Sequence, residues 1–413
     1  MTRQERQGWL IVASLFVTNL IVFGGGYNTA GVFFPPLLKE FGWSRTQVSI
    51  LPSVLAAAAG FAVPLVGWLL DWVEARIVMA AGAAAAGIAF LAASRVGAFP
   101  PLVAAYALLG LGVTASTLLP ASMVIANWFG ARRGLAMGLA MAGTSLGGAA
   151  MTLVASHAIT NTGWRAAYLT LGLPMIAIVI PVLLIIVRTR PAAAAAEKRT
   201  LAEQAQALPG LEVAPALRSR SFWMVALAQF CYATTAAGLV AHMISYLVGI
   251  GYAQALAAAM MSTTFVFTSM GKILMGLFAD RVSGRVALTL NFAIAAAGSL
   301  LLLGAHHAAV LFPAILIVGV TLGAPLVLVP LVMAESLGLK RFGSLSGLTG
   351  LFNTVGAAIG PIAAGRIFDV TGSYRTAFEL FALLLVLGAA ATWNCRPLES
   401  EQARVARPIP VSA

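Results

Sequence analysis

Long apolar runs recur from one end of this chain to the other, and no other feature restricts its fold so tightly. A bilayer core takes roughly 20 apolar residues per helix. The sequence supplies such runs at 9–34, 46–70, 76–94, 101–128, 134–157 and 166–188, then at 221–248, 254–278, 286–305, 308–334, 344–367 and 376–394. Of the 413 residues, 60% are hydrophobic and 9% are charged, whereas a water-facing domain carries about 25% charged residues. The runs lack the apolar–polar alternation of a spanning β-barrel. The expectation is an all-α membrane protein with twelve transmembrane helices. The basic opening Met1-Thr2-Arg3-Gln4-Glu5-Arg6 precedes a run too long for a signal peptide and followed by further runs, so the first helix is read as retained.

A net charge of +12 invites a nucleic-acid reading, which its distribution refutes. With the N-terminus placed in the cytoplasm, eighteen of the 25 Lys and Arg fall in inner segments, six in outer loops, and Lys272 inside a helix. That is the positive-inside pattern. It predicts a multi-pass protein of the cell's inner (plasma) membrane with both termini cytoplasmic and no nucleic-acid partner; a monomer surrounded by lipid is the further expectation. The two cysteines, Cys231 in a helix and Cys395 at an inner edge, offer no structural disulfide.

The chain also repeats itself. Gly67 and Asp71 close the second span, Gly276 and Asp280 close the eighth, and each pair is 209 residues apart. Gly134, Gly138 and Gly147 match Gly343, Gly347 and Gly356 at the same 209-residue offset, as Gly42-Trp43 matches Gly251-Tyr252. Gly163-Trp-Arg165 echoes Gly372-Ser-Tyr-Arg375 with one inserted residue. Two parallel six-helix repeats follow, related by an axis along the membrane normal. The organisation expected is a bundle over 1–188, a cytoplasmic linker over 189–220, and a second bundle with a short tail over 221–413. The linker reads equally as a tether that lets the halves rock or as a plain spacer.

The Gly-x-Leu-x-Asp pattern after the second span, with its copy after the eighth, resembles the signature loop of the major facilitator superfamily. The resemblance covers essentially the whole chain and implies the major facilitator fold. Three further blocks resemble the monocarboxylate transporter and oxalate/formate antiporter branch: Gly31-Val-Phe-Phe-Pro35 through Gly42-Trp43-Ser, Asn127-Trp-Phe-Gly-Ala-Arg132-Arg133-Gly134, and Ser221-Phe222-Trp223. The signature loop implies a gating role for Asp71, Arg76, Asp280, Arg281 and Arg285. On the residues alone, a carboxylate at a membrane edge pairs with arginines or with a neighbouring helix N-terminus; an ordinary topogenic basic loop is the plainer alternative.

Lys272 is the Lys or Arg that falls well inside a span, eight residues before Asp280, or roughly 12 Å along the helix. An intramembrane charge is costly and usually faces a cavity or a partner. The sequence puts no Asp or Glu deep in a span, since Glu335 falls at the inner end of the tenth. A cation facing a water-filled cavity is a counter-ion for a carboxylate substrate; the plainer reading is a stem that snorkels to the interface. Thr264 and Thr268 extend a polar stripe on the same helix face. The branch resemblance implies the same anchor, because monocarboxylate transporters carry Arg-x-x-Met-Gly on this helix where this chain has Lys272-Ile-Leu-Met275-Gly276. Animal members also place an Asp four residues earlier as proton partner, and here that position is Thr268.

His242 in the seventh span titrates near neutrality and is either a proton-sensitive group or a structural hydrogen-bonding one. Tyr27 and Asn28, Ser116 with Thr117, Thr144, Tyr232 and Asn353 complete the candidate cavity lining, each able instead to bond a neighbouring helix. One cation suits a monoanion better than a dianion, which disfavours oxalate. The sequence has no phosphate loop, metal cluster or nucleophile–base pairing, so neither an enzyme nor a cofactor is expected. The expectation is a secondary transporter of a small monocarboxylate or related organic anion, coupled to protons, working by rocker-switch alternating access. The alternative is an exporter of hydrophobic drugs or metabolites on the same fold.

Overall fold

The computed structural model describes residues 3–129, 132–188 and 209–399. Among these, eleven helices are long and apolar enough to cross a membrane, and a bent pair supplies a twelfth crossing. In chain order they are α1 (Glu5–Phe41), α2 (Arg45–Leu70), α3 (Ala75–Ala93), α4 (Phe99–Trp128), α5 (Leu135–Thr162), α6 (Trp164–Ile186), α7 (Arg220–Gly249), α8 (Gln254–Ala279), α9 (Gly284–Gly304), α10 (Ala308–Gly323 with Pro325–Leu337), α11 (Phe342–Thr371) and α12 (Arg375–Trp393). The expected spans match these to within a few residues, except that α1 runs on to Phe41. Prolines at the first positions of its last segment, Phe34–Phe41, preset the helical φ, and Gly42 ends it in the left-handed region at φ 65°. Ser44 then opens α2 with a capping box, its hydroxyl accepting from the Gln47 amide while the Gln47 side chain accepts from the Ser44 amide.

The helices pack through glycine, in the same way in each half. In α5, a Cβ on Gly147 would collide with the Leu20 backbone of α1, and one on Gly143 with the Phe16 carbonyl. In α11, a Cβ on Gly356 would lie 2.5 Å from the Phe230 carbonyl of α7. The 209-residue repeat is thus a repeat of contacts: the fifth helix of each half lies backbone against backbone on the first. Gly138, Gly343, Gly347 and Gly350 meet nothing within 4 Å, so packing does not account for them.

Contacts gather into two compact units. The first holds Met1–Ala195 with Ala237–Ser269 and Ala357–Ala377; the second holds Ala196–Ala236, Met270–Gly356 and Phe378–Ala413. Within the first, Glu40 at the end of α1 accepts from the Trp164 indole and from Arg165 at 2.6 Å. Within the second, an apolar core includes Phe222, Leu288, Phe292, Leu328, Val332 and Leu385. Cys231 and Cys395 are buried there and are not joined in a disulfide.

Residues 189–208 of the expected linker lie outside the described residues. Its later part forms a short helix, Val213–Arg218, preceded by a clip. Gly210 and Gly338 pair antiparallel, with the Leu211 amide donating to the Leu337 carbonyl and the Leu339 amide to the Pro209 carbonyl, both at 2.9 Å. Glu212 reinforces the clip by pairing with Arg341 at 2.7 Å and Lys340 at 3.2 Å.

Two predictions follow from this packing. Gly147→Val is expected to cost about 1–3 kcal/mol of stability in a thermal melt in detergent, by forcing α1 and α5 apart. Gly138→Ala, with open space around it, is expected to leave the melt unchanged or raised. At the clip, the Arg341 hydrogen bond and then that of Lys340 hold the Glu212 carboxyl below its ordinary value. A carboxyl depressed in the folded state stabilises at neutral pH and loses that contribution as pH falls through the folded value. Exchange of the Leu211 amide, measured relative to its intrinsic rate, is therefore expected to quicken in acid, and in Glu212→Gln at neutral pH.

Candidate functional site

The candidate site is built where helices break. Proline at 325 has no N–H to offer the Thr321 carbonyl one turn back, and α10 bends by 42° there. The vacant acceptor is taken by the Asn291 amide of α9 at 3.2 Å, while the Tyr232 hydroxyl of α7 donates to the nearby Leu322 carbonyl at 2.6 Å. In the first half, Pro120 acts on the Ser116 carbonyl in the same way, and α4 breaks at Thr117, whose φ/ψ of −118°/−112° is non-helical. The breaks at 117 and 324 fall within two residues of the repeat offset. Paired interruptions at corresponding positions of two repeats are the backbone feature that accompanies a midplane binding site. The first helix breaks as well: after Gly24–Gly26 the chain turns at Tyr27–Thr29 before resuming at Ala30.

Asn28 donates to the Thr144 carbonyl at 3.0 Å, which joins the break in α1 to α5 and brings those two candidates together. Gly148, one turn along α5, lies against both the Asn28 side chain and the Phe265 ring of α8. Tyr27 is half-buried and stacks on Phe23. Ser116 and Thr117 donate to carbonyls of their own helix, at 2.7 Å and 2.6 Å, so the structure uses both hydroxyls within α4. Asn353 is half-buried on α11.

On α8, Thr264 donates to the Met260 carbonyl and Thr268 to the Thr264 carbonyl, both at 2.9 Å. The polar stripe therefore presents carbonyl-bonded hydroxyls along the helix. Lys272 continues that stripe, half-buried. Its neighbour Gly271 sits so close to the Val320 backbone of α10 that no side chain fits. One turn on, Met275 packs against the core of the second unit. The backbone of Lys272 is thus held by a helix crossing just before the bend of α10.

His242 sits in a polar cluster of the first unit. The ring is fully buried (0% exposed). Nδ1 lies 2.8 Å from the Tyr374 hydroxyl, and Nε2 lies 3.0 Å from Ser49 Oγ and 2.9 Å from the Pro361 carbonyl. Phe34 of α1 packs edge-on against the ring. Arg45 donates to the Tyr374 oxygen at 2.7 Å and covers the Phe368 ring at 3.8 Å. Asp369 caps the start of α2, accepting from the Arg45 and Thr46 amides at 3.0 Å and 2.8 Å and from the Thr46 hydroxyl. Gly31 and Gly365 permit the approach, the first against carbonyls of α7 and the second against Ser49 and Arg45 of α2. Arg45, Ser49, Asp369 and Tyr374 escape a reading by spans, because they lie near span ends and come together only across more than 300 residues of chain.

At the basic loops, Arg76 pairs with Glu74 at 2.6 Å. The side chain of Asp71 lies outside the described residues, while Asp280 and Arg281 are exposed at the end of α8. Arg285 donates to the Cys395 carbonyl at 3.2 Å and lies 5.3 Å from the Trp393 ring. Glu335, at the end of α10, accepts from the Gly284 and Arg285 amides at 2.7 Å and 3.2 Å. A carboxylate there satisfies first-turn amides and complements the helix dipole. Glu335→Ala is expected to lower stability by about 0.5–2 kcal/mol in a thermal melt, and Glu335→Gln, which keeps one acceptor, by less.

The relatives of the chain identify its family. A family model described as Major Facilitator Superfamily matches residues 15–361 and 260–411. Monocarboxylate transporter 13 of Rattus norvegicus is 27% identical over 387 residues, covering 92% of this chain and 87% of that protein. The uncharacterized MFS-type transporter YcxA of Bacillus subtilis is 24% identical over 381 residues, covering 91% of each. The crystal structure of a bacterial homologue of the human lysosomal transporter Spinster, inward-facing and unoccupied, superposes with a TM-score of 0.75 at 16% identity over the whole of both chains. That likeness shows the fold. With a family match along nearly its whole length and twelve crossings in two six-helix repeats, the chain belongs to the Major Facilitator Superfamily and is a multi-pass membrane transporter rather than an enzyme.

Proposed function

We propose that the protein is a secondary active transporter of a small monocarboxylate or related organic anion, coupled to protons, in which Lys272 anchors the carboxylate. The observation that carries this reading is the position of Lys272, a half-buried cation inside α8 and next to the α8–α10 crossing. A lysine at bilayer depth costs about 2.5–3.5 kcal/mol on an insertion scale, and a bound anion offsets that cost. Similarity to a monocarboxylate transporter over 92% of the chain supports the same substrate class. Lysine presents a single point charge rather than the planar fork of arginine, which suits a monoanion. The halves 1–188 and 221–413 rock about the site, and the basic loops bearing Asp71, Arg76, Asp280, Arg281 and Arg285 gate its cytoplasmic side.

The test is uptake of a panel of labelled monocarboxylates into proteoliposomes. Losing a hydrogen bond to a charged group costs about 1.5–3 kcal/mol, so Lys272→Ala is expected to reduce uptake by about tenfold to a hundredfold. Lys272→Arg is expected to retain much of it. Undiminished uptake by Lys272→Ala sinks Lys272 as the anchor. Efflux of hydrophobic compounds that tolerates the same substitution favours the exporter reading.

A further inference from the structure

We infer that the His242 cluster is a proton-operated latch on the outer side of the transporter, closed when His242 is neutral and released when it takes a proton. The inference rests on the proposed proton coupling and supplies its site.

The hydrogens around the His242 ring are fixed by its neighbours. Ser49 donates its hydroxyl hydrogen to the Arg45 carbonyl at 2.6 Å, so toward His242 it is an acceptor. The Pro361 carbonyl is an acceptor as well. Nε2 faces both and therefore carries the hydrogen. On the other side of the ring, the Tyr374 oxygen already accepts from Arg45, which leaves its own hydrogen to donate to Nδ1. The chain Arg45 to Tyr374 to His242 to Pro361 then runs in one direction with every donor and acceptor used. It ties α2, α7, α11 and the start of α12 together, and it requires the neutral imidazole.

A proton arriving at Nδ1 forms an N–H bond there and breaks the Tyr374 O–H···Nδ1 hydrogen bond. The Tyr374 oxygen is then left between two cations, Arg45 and the imidazolium. The groups that face the ring are Arg45 and Ser49 from α2, Phe34 from α1, Pro361 from α11, and Tyr374 before α12. Asp369 is the nearby carboxylate, and its oxygens are engaged by the first amides of α2 and the Thr46 hydroxyl. Like charges across one phenol oxygen in a buried site repel strongly. The state that relieves them is the one in which α2 and α11 part. Asp369 and Thr46, at the edge of the cluster, are where outer water reaches it.

Ser53 gives a reporter beneath the latch. It lies one turn beyond Ser49 on α2, is 3% exposed, and its hydroxyl has no hydrogen-bond partner, so Ser53→Cys is a mild change. Labelling of this cysteine by an impermeant maleimide added to the outside of cells measures outer opening; the parent protein, whose two cysteines are buried, is the blank. Labelling is expected to be about tenfold faster at about pH 5.5 than at about pH 7.5, because the opened state exposes an ordinary imidazole that takes up its proton over that range. Adding His242→Gln is expected to abolish that pH dependence. Adding Tyr374→Phe, which removes only the bridging hydroxyl, is expected to give fast labelling at both pH values. Labelling of Ser53→Cys that ignores pH, or a pH response that survives His242→Gln, overturns the latch. If His242→Gln does not fold, slow labelling of the Tyr374→Phe variant at about pH 7.5 overturns it alone. No transported substrate enters this measurement, so a failed monocarboxylate panel and a failed latch are separate results.

Discussion

Everything in this structure depends on one demand of the bilayer: each backbone N–H and C=O must find a partner inside the protein, because lipid offers none. Helices meet that demand along most of the chain. Where proline or glycine interrupts a helix, the freed groups must be claimed by side chains, and those side chains are then committed. Asn291 answers the Thr321 carbonyl, Tyr232 the Leu322 carbonyl, and Asn28 reaches from the break in α1 to the Thr144 carbonyl. Much of the polar inventory of the spans is therefore structural repair around the breaks. The breaks nonetheless bring backbone dipoles to the middle of the membrane, where a substrate site needs them.

A second constraint is close approach. Without a hydrophobic force between helices in lipid, packing relies on small residues that let backbones touch. Gly147 against Leu20 and Gly356 against Phe230 show this solution used twice at matching places. Symmetry of packing does not extend to charge. Lys272 has Val63 at the corresponding position of the first half, so one scaffold built from two similar halves carries a cation on one side alone.

The sequence made the spans and the repeat legible because hydropathy and glycine spacing are local or periodic signals. Lys272 stood out for the same reason, as a charge in an apolar run. The roles of hydroxyls were not legible: Ser116 and Thr117 have the composition of a polar lining, yet each bonds the carbonyl a turn behind it, a choice made by helix geometry. The His242 cluster was only half legible. The histidine itself was visible, but Arg45, Ser49, Asp369 and Tyr374 acquire meaning only when α2 and α11 meet, and nothing in local sequence encodes that meeting. Glu335 was read merely as lying at a helix end, while its work is to cap the next helix.

Under the proposed reading, two sites answer one electrostatic problem. Carrying one elementary charge across the membrane potential costs about 2.3 kcal/mol per 100 mV, and a monoanion moving inward works against a potential that is negative inside. A proton travelling with it removes that cost. The proton cannot be the one on Lys272, because neutralising that ammonium abolishes the attraction that holds the anion. A carboxylate beside the lysine separates the two tasks poorly, since in its charged form it competes with the substrate for the same cation. Because the closed outer side requires a neutral His242, the histidine of α7 hands its proton inward as that side closes over the anion, so Lys272 stays charged through the whole cycle and position 268 is free to be threonine. The empty carrier then returns with the charge it always holds, and the loaded one differs from it by an anion and a proton whose charges cancel.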